Sequence, residues 1–552
     1  MTTGGHLIVQ CLLAQGTDRV FCVPGESYLA ILDALYDTEI DTIVARQEGG
    51  AAMMAEADGK ATGRPGICLV TRGPGAANAM AGIHVAQQDS TPMIVIIGQV
   101  ARAVRGRDAF QEVDFEATFS TVAKLVIEID DPDQIPDSMA AAFHTAMNDR
   151  PGPVIISVPE DMMSQETSRS ACSLSEAIET IPSGDNLAMF NILMDEALQP
   201  VVIVGGSRWN TEAITHLQRW ALHRQLPVAT SFRRQHLFPA THACYAGELG
   251  IGANPALIKL ITDSDLIILL GGRLSEIPSQ NYTLLDIPVP KQKLVHIHPD
   301  PTELGHVYQP TLGITASPIA FLQAVDIGPE CSIDSLPAHV NYLYWSDECP
   351  AQPGDIQLRE IVQFVNQTLG DQAIICNGAG NYAAWVHRFF RYPEFRSQFA
   401  PNSGSMGYGL PAAIAAKLRF PNSPVICFAG DGCLQMTIQE LGTATQFNVN
   451  IIVLVIDNGM YGTIRMHQEK KFPDRVSATS LQNPDFQAVA EAYGYFSETV
   501  TNNDEFESLF LEALAAKKPA LLHIKTDAEG ITPTLTITQL REANQHKEDT
   551  ER

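Results

Sequence analysis

Two short apolar runs constrain this chain more than any other feature: Pro424-Val425-Ile426-Cys427-Phe428-Ala429 and Asn450-Ile451-Ile452-Val453-Leu454-Val455-Ile456. Each is rich in β-branched residues and ends in small or polar ones, as a buried parallel strand does at its carboxyl edge. Between them, Gln435 to Gln446 reads as a helix, so the unit is strand–helix–strand. A right-handed crossover brings both strand ends to one edge of the sheet, where open α/β sheets bind ligands. The first run leads into Gly430-Asp431-Gly432-Cys433 and the second into Asp457-Asn458. Asp431 and Asn458, 27 positions apart, then converge on one metal ion. One carboxylate plus one amide oxygen suits Mg²⁺, which completes its shell with phosphate and water. Gly430 and Gly432 let the backbone approach a phosphate, and the following helix offers free N–H groups. The pattern reads as a diphosphate–magnesium cradle. Two buried strands with tight turns would explain the apolar runs but not both polar ends.

At 552 residues, 45% hydrophobic and 18% charged, the chain is long enough for about three globular domains. Polar Ser/Pro/Glu-rich stretches at Ser164 to Asn186 and about Ile327 to Asp355 break it. They divide it into domains at 1–165, 187–326 and 356–530, with a polar tail at 531–552. Each block alternates strand and helix patterns, the signature of an α/β fold with a doubly wound parallel sheet. The first and third blocks align at a constant offset of 357, with Lys60 on Lys417, Gly73 on Gly430, Gly75 on Gly432 and Ile94 on Ile451. This is the layout of a duplicated domain. Pro74 stands where Asp431 stands, so the first copy lacks the metal-binding carboxylate. The middle block has two strand-to-glycine turns, at Gly205-Gly206-Ser207 and Gly271-Gly272-Arg273, but no GxGxxG. A structural or degenerate nucleotide domain is expected there.

A formal charge of -27 argues against nucleic acid or an anionic membrane as partner. The ten cysteines are scattered without a CxxC pair, which reads as free thiols in a reducing compartment. Cys433, beside the cradle, is either a reactive thiol or a small residue filling the turn, and the second is favoured. The N-terminus has no basic lead and no apolar run approaches a membrane span, so a cytoplasmic protein is expected.

The stretch from Ile414-Ala415 through Pro421 to Gly430-Asp431-Gly432-Cys433, with Asn458 at its distance, resembles the signature of thiamine-diphosphate enzymes. Val23-Pro24-Gly25, Arg46-Gln47-Glu48, Arg72-Gly73-Pro74-Gly75, Asp108-Ala109-Phe110-Gln111-Glu112, Arg150-Pro151-Gly152-Pro153-Val154 and Gly404-Ser405-Met406-Gly407 extend the resemblance. With them it reaches the acetolactate synthase type over almost the whole chain. The resemblance implies a pyrimidine-binding first domain, a Rossmann-like centre and a diphosphate-binding third domain. It also implies thiamine diphosphate and Mg²⁺ as cofactors, 2-oxo acids such as pyruvate as substrates, and a homodimer or dimer of dimers. In that family one subunit holds the pyrimidine end of the cofactor and its partner the diphosphate end.

By the same resemblance, Glu48 hydrogen-bonds N1′ of the aminopyrimidine and promotes proton removal from the thiazolium. Met406 props the bent cofactor, and the Gly404 carbonyl accepts from its amino group. Gly378-Ala379-Gly380-Asn381-Tyr382 matches a second diphosphate loop. Asp431, Asn458 and the Met460 carbonyl bind the metal. Pro24, Gly25, Gly73, Asn78, Gly430, Gly432, Cys433, Tyr461 and Gly462 complete the expected cofactor contacts.

Phe110 and Gln111 stand where simple decarboxylases of the wider family carry two histidines. Without that relay, carboligation onto a second carbonyl is expected in place of aldehyde release. Phe110 would shape the acceptor pocket and Gln111 would hydrogen-bond the intermediate. Three positions depart from acetolactate synthases. His467 replaces a tryptophan, Ile277 replaces an arginine near the acceptor carboxylate, and Arg233-Arg234 stand in the segment that wraps FAD and weigh against that cofactor. A decarboxylase, or a diketone-cleaving or oxidising enzyme of the same family, therefore remains an alternative. A non-catalytic cofactor-binding protein is disfavoured, because mere binding would not need Glu48 together with Met406.

Overall fold

In each of the three blocks the β-branched runs become six parallel strands flanked by helices. The structure is a computed structural model that describes residues 1–551, with side chains through residue 544. Met93–Gln99, Pro153–Pro159, Leu266–Leu270 and Val425–Gly430 are buried along their whole length. Helices on both faces leave no solvent side, which is why these strands read as continuous apolar runs.

The first sheet runs in the order Asp41–Val44, Arg19–Cys22, Gly66–Val70, Met93–Gln99, Pro153–Pro159, Leu125–Glu128. The third runs Gln398–Phe399, Ile374–Asn377, Val425–Gly430, Ile452–Asp457, Ala520–Lys525, Phe496–Val500. With strands numbered by chain position within each sheet, both orders are 2-1-3-4-6-5, as a duplicated domain requires. The middle sheet runs Tyr245–Leu249, Val228–Ser231, Pro200–Val204, Leu266–Leu270, Lys293–His298, Leu312–Thr315. That order is 3-2-1-4-5-6, the doubly wound arrangement of dinucleotide folds.

The chain divides into two compact units. One comprises Met1–Ile178, Pro401–Pro421 and Thr437–Val449, and the other Glu179–Ala400, Asn422–Met436 and Asn450 onward. In the first unit the helices Glu48–Thr62 and Gly73–Asp89 pack face to face through small residues. A Cβ at Gly82 would lie 2.5 Å from the Ala52 Cβ, so only glycine permits this approach. In the second unit Phe190, Trp220 and Phe321 centre the middle-domain core, with the two phenylalanine rings edge to face at 5.1 Å.

Three expectations change. The helix read from Gln435 to Gln446 is interrupted: Asp431–Gln435 ends, Ile438–Glu440 is a single 3₁₀ turn, and Leu441–Gln446 resumes. At the break Thr437 leaves helical geometry and its hydroxyl donates to the Gly407 carbonyl at 2.7 Å. The polar stretch before Asp355 contains the helix Pro337–Asp347, which buries Tyr342 against Tyr245. The segment read as a polar tail includes a helix, Ile537–Glu551, and buries Ile531, Ile537 and Leu540 against Met466. No helix among the described residues is long and apolar enough to cross a membrane.

Candidate active site

Parallel pairing of Val425–Gly430 with Ile452–Asp457 sets Gly430 level with Ile456, so Asp431 and Asn458 leave the sheet at the same edge. Asp431 is buried, and each of its oxygens has a fixed donor. Oδ1 accepts from the Gly432 N–H at 2.8 Å and Oδ2 from Asn483 Nδ2 at 2.8 Å. Burial, with the Asp457 carboxylate nearby, pushes its carboxyl up to about 6. A cation beside it would relieve that penalty. Asn458 Oδ1 accepts the Met460 N–H at 3.3 Å, and the Met460 carbonyl accepts the Gly462 N–H at 2.9 Å. The donor set is one carboxylate, one amide oxygen and one carbonyl. All are oxygens, which fits Mg²⁺. Among the described residues no cluster of three or more His, Cys, Asp or Glu side chains offers a competing metal site.

The glycine turn is shaped by two aromatic rings. A Cβ at Gly432 would meet the Tyr461 ring at 2.5 Å, and one at Gly430 the Tyr382 ring at 3.0 Å. Tyr382 also joins this turn to the second expected diphosphate loop. Its hydroxyl accepts the Gly378 N–H at 3.0 Å and meets Cys433 Sγ at 3.5 Å. Cys433 is buried here and fills the turn. Gly380 has φ +151, and Asn381 at the head of the helix Tyr382–Phe389 accepts from Thr463 Oγ1 at 2.8 Å and donates to the Ile531 carbonyl at 2.9 Å. The segments carrying Ala379, Gly380, Asn381, Tyr382, Cys433 and Gly462 are thereby drawn together. His467 is exposed on the helix Gly462–Lys471.

The first unit carries the other residues. Glu48 opens the helix Glu48–Thr62, where an acid is favoured by the helix dipole. Asn78 Nδ2 donates to Glu48 Oε2 at 2.9 Å, and Gln47 caps the helix by accepting the Gly50 N–H at 3.1 Å. A Cβ at Gly75 would lie 3.4 Å from Glu48 Oε1, and one at Gly25 would meet the Thr71 Cβ at 2.5 Å. Pro24 is exposed beside it. The Gly73 N–H donates to the Gln111 carbonyl at 3.0 Å, holding Gln111 at φ +64 and tying its loop to the start of the Gly73–Asp89 helix. The Phe110 side chain is 72% exposed, available to a ligand and not packed in the core. The segment carrying Gly404 and Met406 is anchored at both ends. The Asn402 N–H donates to Asp89 Oδ1 at 2.7 Å, and the Tyr408 hydroxyl donates to Glu56 Oε2 at 2.5 Å. Lys60 Nζ sits within this buried network, 2.5 Å from Asp89 and 3.1 Å from Glu56.

Sequence reasoning missed two residues that hold these groups, Glu440 and Asn483. Glu440 accepts the Arg46 N–H just before Glu48, and Asn483 braces Asp431. The only signals in the sequence are an acid within an apolar, small-residue stretch and an asparagine before proline, and neither names a partner.

In the middle domain the two glycine turns abut, and a Cβ at Gly206 would fall 1.8 Å from the Gly271 carbonyl oxygen. Arg234 Nε donates to the Gly206 carbonyl at 3.1 Å, at the carboxyl end of Pro200–Val204. Arg233 is buried too, with its N–H on Glu248 Oε1 at 2.6 Å, and burial pushes Glu248 up to about 7.

Three family models match the chain in order. The N-terminal thiamine pyrophosphate binding domain matches residues 2–118, the central domain of these enzymes 190–325, and the C-terminal thiamine pyrophosphate binding domain 378–524. The acetolactate synthase large subunit of Corynebacterium glutamicum is 32% identical over 91% of this chain and 83% of its own length. The probable acetolactate synthase large subunit of Methanocaldococcus jannaschii is 30% identical over 96% and 93%, and the isozyme 2 large subunit of Escherichia coli 29% identical over 96% and 97%. With all three domain models matched in order on three parallel-sheet domains, the chain belongs to the thiamine pyrophosphate enzyme family.

Proposed function

We propose that this protein is a thiamine-diphosphate- and Mg²⁺-dependent carboligase of the acetolactate synthase type, acting on 2-oxo acids such as pyruvate. The observation that carries the proposal is Glu48, a carboxylate in the first turn of a helix with one oxygen fixed by Asn78. Bound thiamine diphosphate supplies the electron sink for forming or cleaving the bond next to a carbonyl. The chain's part is binding, orientation and proton handling. Asp431, Asn458 and the Met460 carbonyl hold the metal, and the Gly378–Tyr382 and Gly430–Cys433 turns hold the diphosphate. Glu48 exchanges a proton with the aminopyrimidine ring nitrogen, and Asn78 keeps its carboxylate in one orientation. Met406 would offer the bound cofactor an apolar support, and the Gly404 carbonyl would accept from its amino group. Phe110 offers an apolar wall to the acceptor carbonyl, and Gln111 a hydrogen bond. Two copies of the chain build each site, so the working form is a cytoplasmic homodimer or dimer of dimers.

The test is incubation with thiamine diphosphate, Mg²⁺ and a panel of 2-oxo acids, with products identified by mass. Pyruvate should yield a carbon–carbon bonded product. Glu48→Gln should stay folded and bind cofactor while turnover falls by about two orders of magnitude, the scale of general acid–base contributions. Acetaldehyde as the main product, or near-wild-type turnover in Glu48→Gln, would overturn the proposal.

A further inference from the structure

Four side chains from separate segments form one hydrogen-bonded line behind the Asp431 carboxylate. Asn483 Nδ2 donates to Asp431 Oδ2 at 2.8 Å and to Asp457 Oδ1 at 2.7 Å. His523 Nε2 lies 2.8 Å from Asp457 Oδ2, and Gln435 Nε2 donates to Asn483 Oδ1 at 3.0 Å. The amide group of Asn483 is thus fixed on both sides, with its two N–H hydrogens between carboxylates and its oxygen on Gln435. Its segment is held as well. Tyr461 N–H donates to the Thr479 carbonyl at 2.9 Å and Leu481 N–H to the Gly459 carbonyl at 2.8 Å, laying residues 479–481 antiparallel to 459–461. Asp457 is anchored a second time by the Gly459 N–H at 2.9 Å, and His523 is buried against Phe486, edge to face at 5.2 Å.

Two carboxylates that share one amide donor, Asp431 buried and Asp457 partly so, repel each other unless something holds them apart. The amide does this, and it has a directional consequence. Asp431 Oδ1 is pinned by the Gly432 N–H and Oδ2 by Asn483, so the carboxylate cannot turn about its Cβ–Cγ bond without losing both bonds. Outer partners that fix a ligating carboxylate in this way set metal affinity without touching the ion.

We propose that Asn483, backed by Asp457 and His523, is a positioning residue of the magnesium site. It presets the Asp431 carboxylate so that the cation meets it in one orientation. This rests on the reading of Asp431 as a magnesium ligand, and it goes further by assigning the site's affinity to a residue outside the ligand set. A cavity of about 400 Å³ lined by Asp457, Asn483, Asp485, Thr499, His523 and Lys525 adjoins the line and gives water a route to its outer members.

The experiment uses the full-length protein with thiamine diphosphate fixed in excess. Two quantities are read: the Mg²⁺ concentration giving half of the thermal-stability rise, and Mn²⁺ binding by electron paramagnetic resonance. Asn483→Ala should raise both half-saturation concentrations about 10- to 100-fold, the range for outer partners of metal ligands. The melting temperature without metal should change by only a few degrees. If Asn483→Ala does not fold, Asn483→Ser, which keeps one donor, should show the same separation in weaker form. Asp431→Ala is the control and should show no Mg²⁺-dependent rise. Unchanged half-saturation in the Asn483 variants alongside a silent Asp431→Ala would overturn the positioning role alone. A Mg²⁺-dependent rise persisting in Asp431→Ala would overturn the site and the positioning role together.

Discussion

Glu440 presents both carboxylate oxygens to the backbone N–H of Arg46, each at 3.2 Å. Glu440 is fully buried, and burial pushes its carboxyl pKa up from the ordinary 4.5 despite the donors around it. Thr443 Oγ1 donates to Oε2 at 2.6 Å, and a Cβ at Gly50 would lie 2.6 Å from Oε1. The Arg46 side chain in turn donates to the Gly442 carbonyl at 3.2 Å and to Gln446 Oε1 at 2.7 Å. The turn that ends a strand at Val44 and starts a helix at Glu48 is therefore clamped on both backbone and side chain by residues 440–446.

Removing the clamp should misplace Glu48 without removing it. Glu440→Ala leaves the part-buried Arg46 N–H without its acceptor, a cost of about 1 kcal/mol. Turnover should fall about tenfold or more, since small misplacements at a reacting centre are expensive. Glu440→Gln keeps one acceptor oxygen and should lie between wild type and Glu440→Ala in both stability and turnover. Steady-state kinetics with denaturant unfolding checks the order. Wild-type turnover in a destabilised Glu440→Ala would separate the clamp from catalysis.

Arg234 donates to the Gly206 carbonyl at the turn where a dinucleotide fold would seat a pyrophosphate. Gly206 and Gly271 already touch, so the crevice has little room beside that guanidinium. The purified protein should be colourless, and added FAD should not change its turnover. An absorption spectrum with stoichiometric flavin, needed for folding or activity, would contradict this.

Much of this architecture is legible in the chain because parallel strands bury both faces and must end where a crossover returns. Val425–Gly430 and Ile452–Asp457 announce themselves as apolar runs, and their polar ends share an edge whatever the surrounding detail. The repeat at offset 357 likewise reappears as one strand order used twice. Glu440 and Asn483 are not legible, because their partners lie 394 and 52 positions away and neither residue type implies a partner. The helix Pro337–Asp347 is hidden for another reason. It sits among Ser, Pro and Asp, and it is held by burying Tyr342 and His339, not by an apolar stripe along its length.

Glu469 is buried on the helix Gly462–Lys471 and meets Arg541 Nη2 at 2.9 Å and Arg465 Nη2 at 2.8 Å. The Arg541 hydrogen bonds, helped by the Asp474 N–H and Arg465, hold its carboxyl down at about 2 from an ordinary 4.5. A depressed carboxyl contributes stability that is fully present above the unfolded value and is lost as pH falls through the folded one. Glu469→Gln should therefore be less stable than wild type at pH 7. The gap should hold down to about pH 5 and close between about 4.5 and 2. Denaturant unfolding across that range measures it. A gap that widened on acidification would reverse the sign and refute the pairing.

The acceptor should be set by His467. It stands exposed on the helix Gly462–Lys471, in the stretch that follows Asn458 and Met460, the residues proposed to hold the metal. Ile277 offers no charge for an acceptor carboxylate, and Arg273 is 4.0 Å from Glu303, so neither supplies the missing cation. An imidazole at position 467 presents a polar edge where an indole would present a broad apolar face, and the two favour different acceptors. His467→Trp should then change the ratio of products formed from pyruvate alone and from pyruvate with 2-oxobutyrate or an aldehyde. Consumption of pyruvate should change less, because His467 has no part in the proton handling assigned to Glu48. Product ratios by mass decide the matter. An unchanged ratio in His467→Trp would place acceptor choice elsewhere, with Phe110 the next residue to vary.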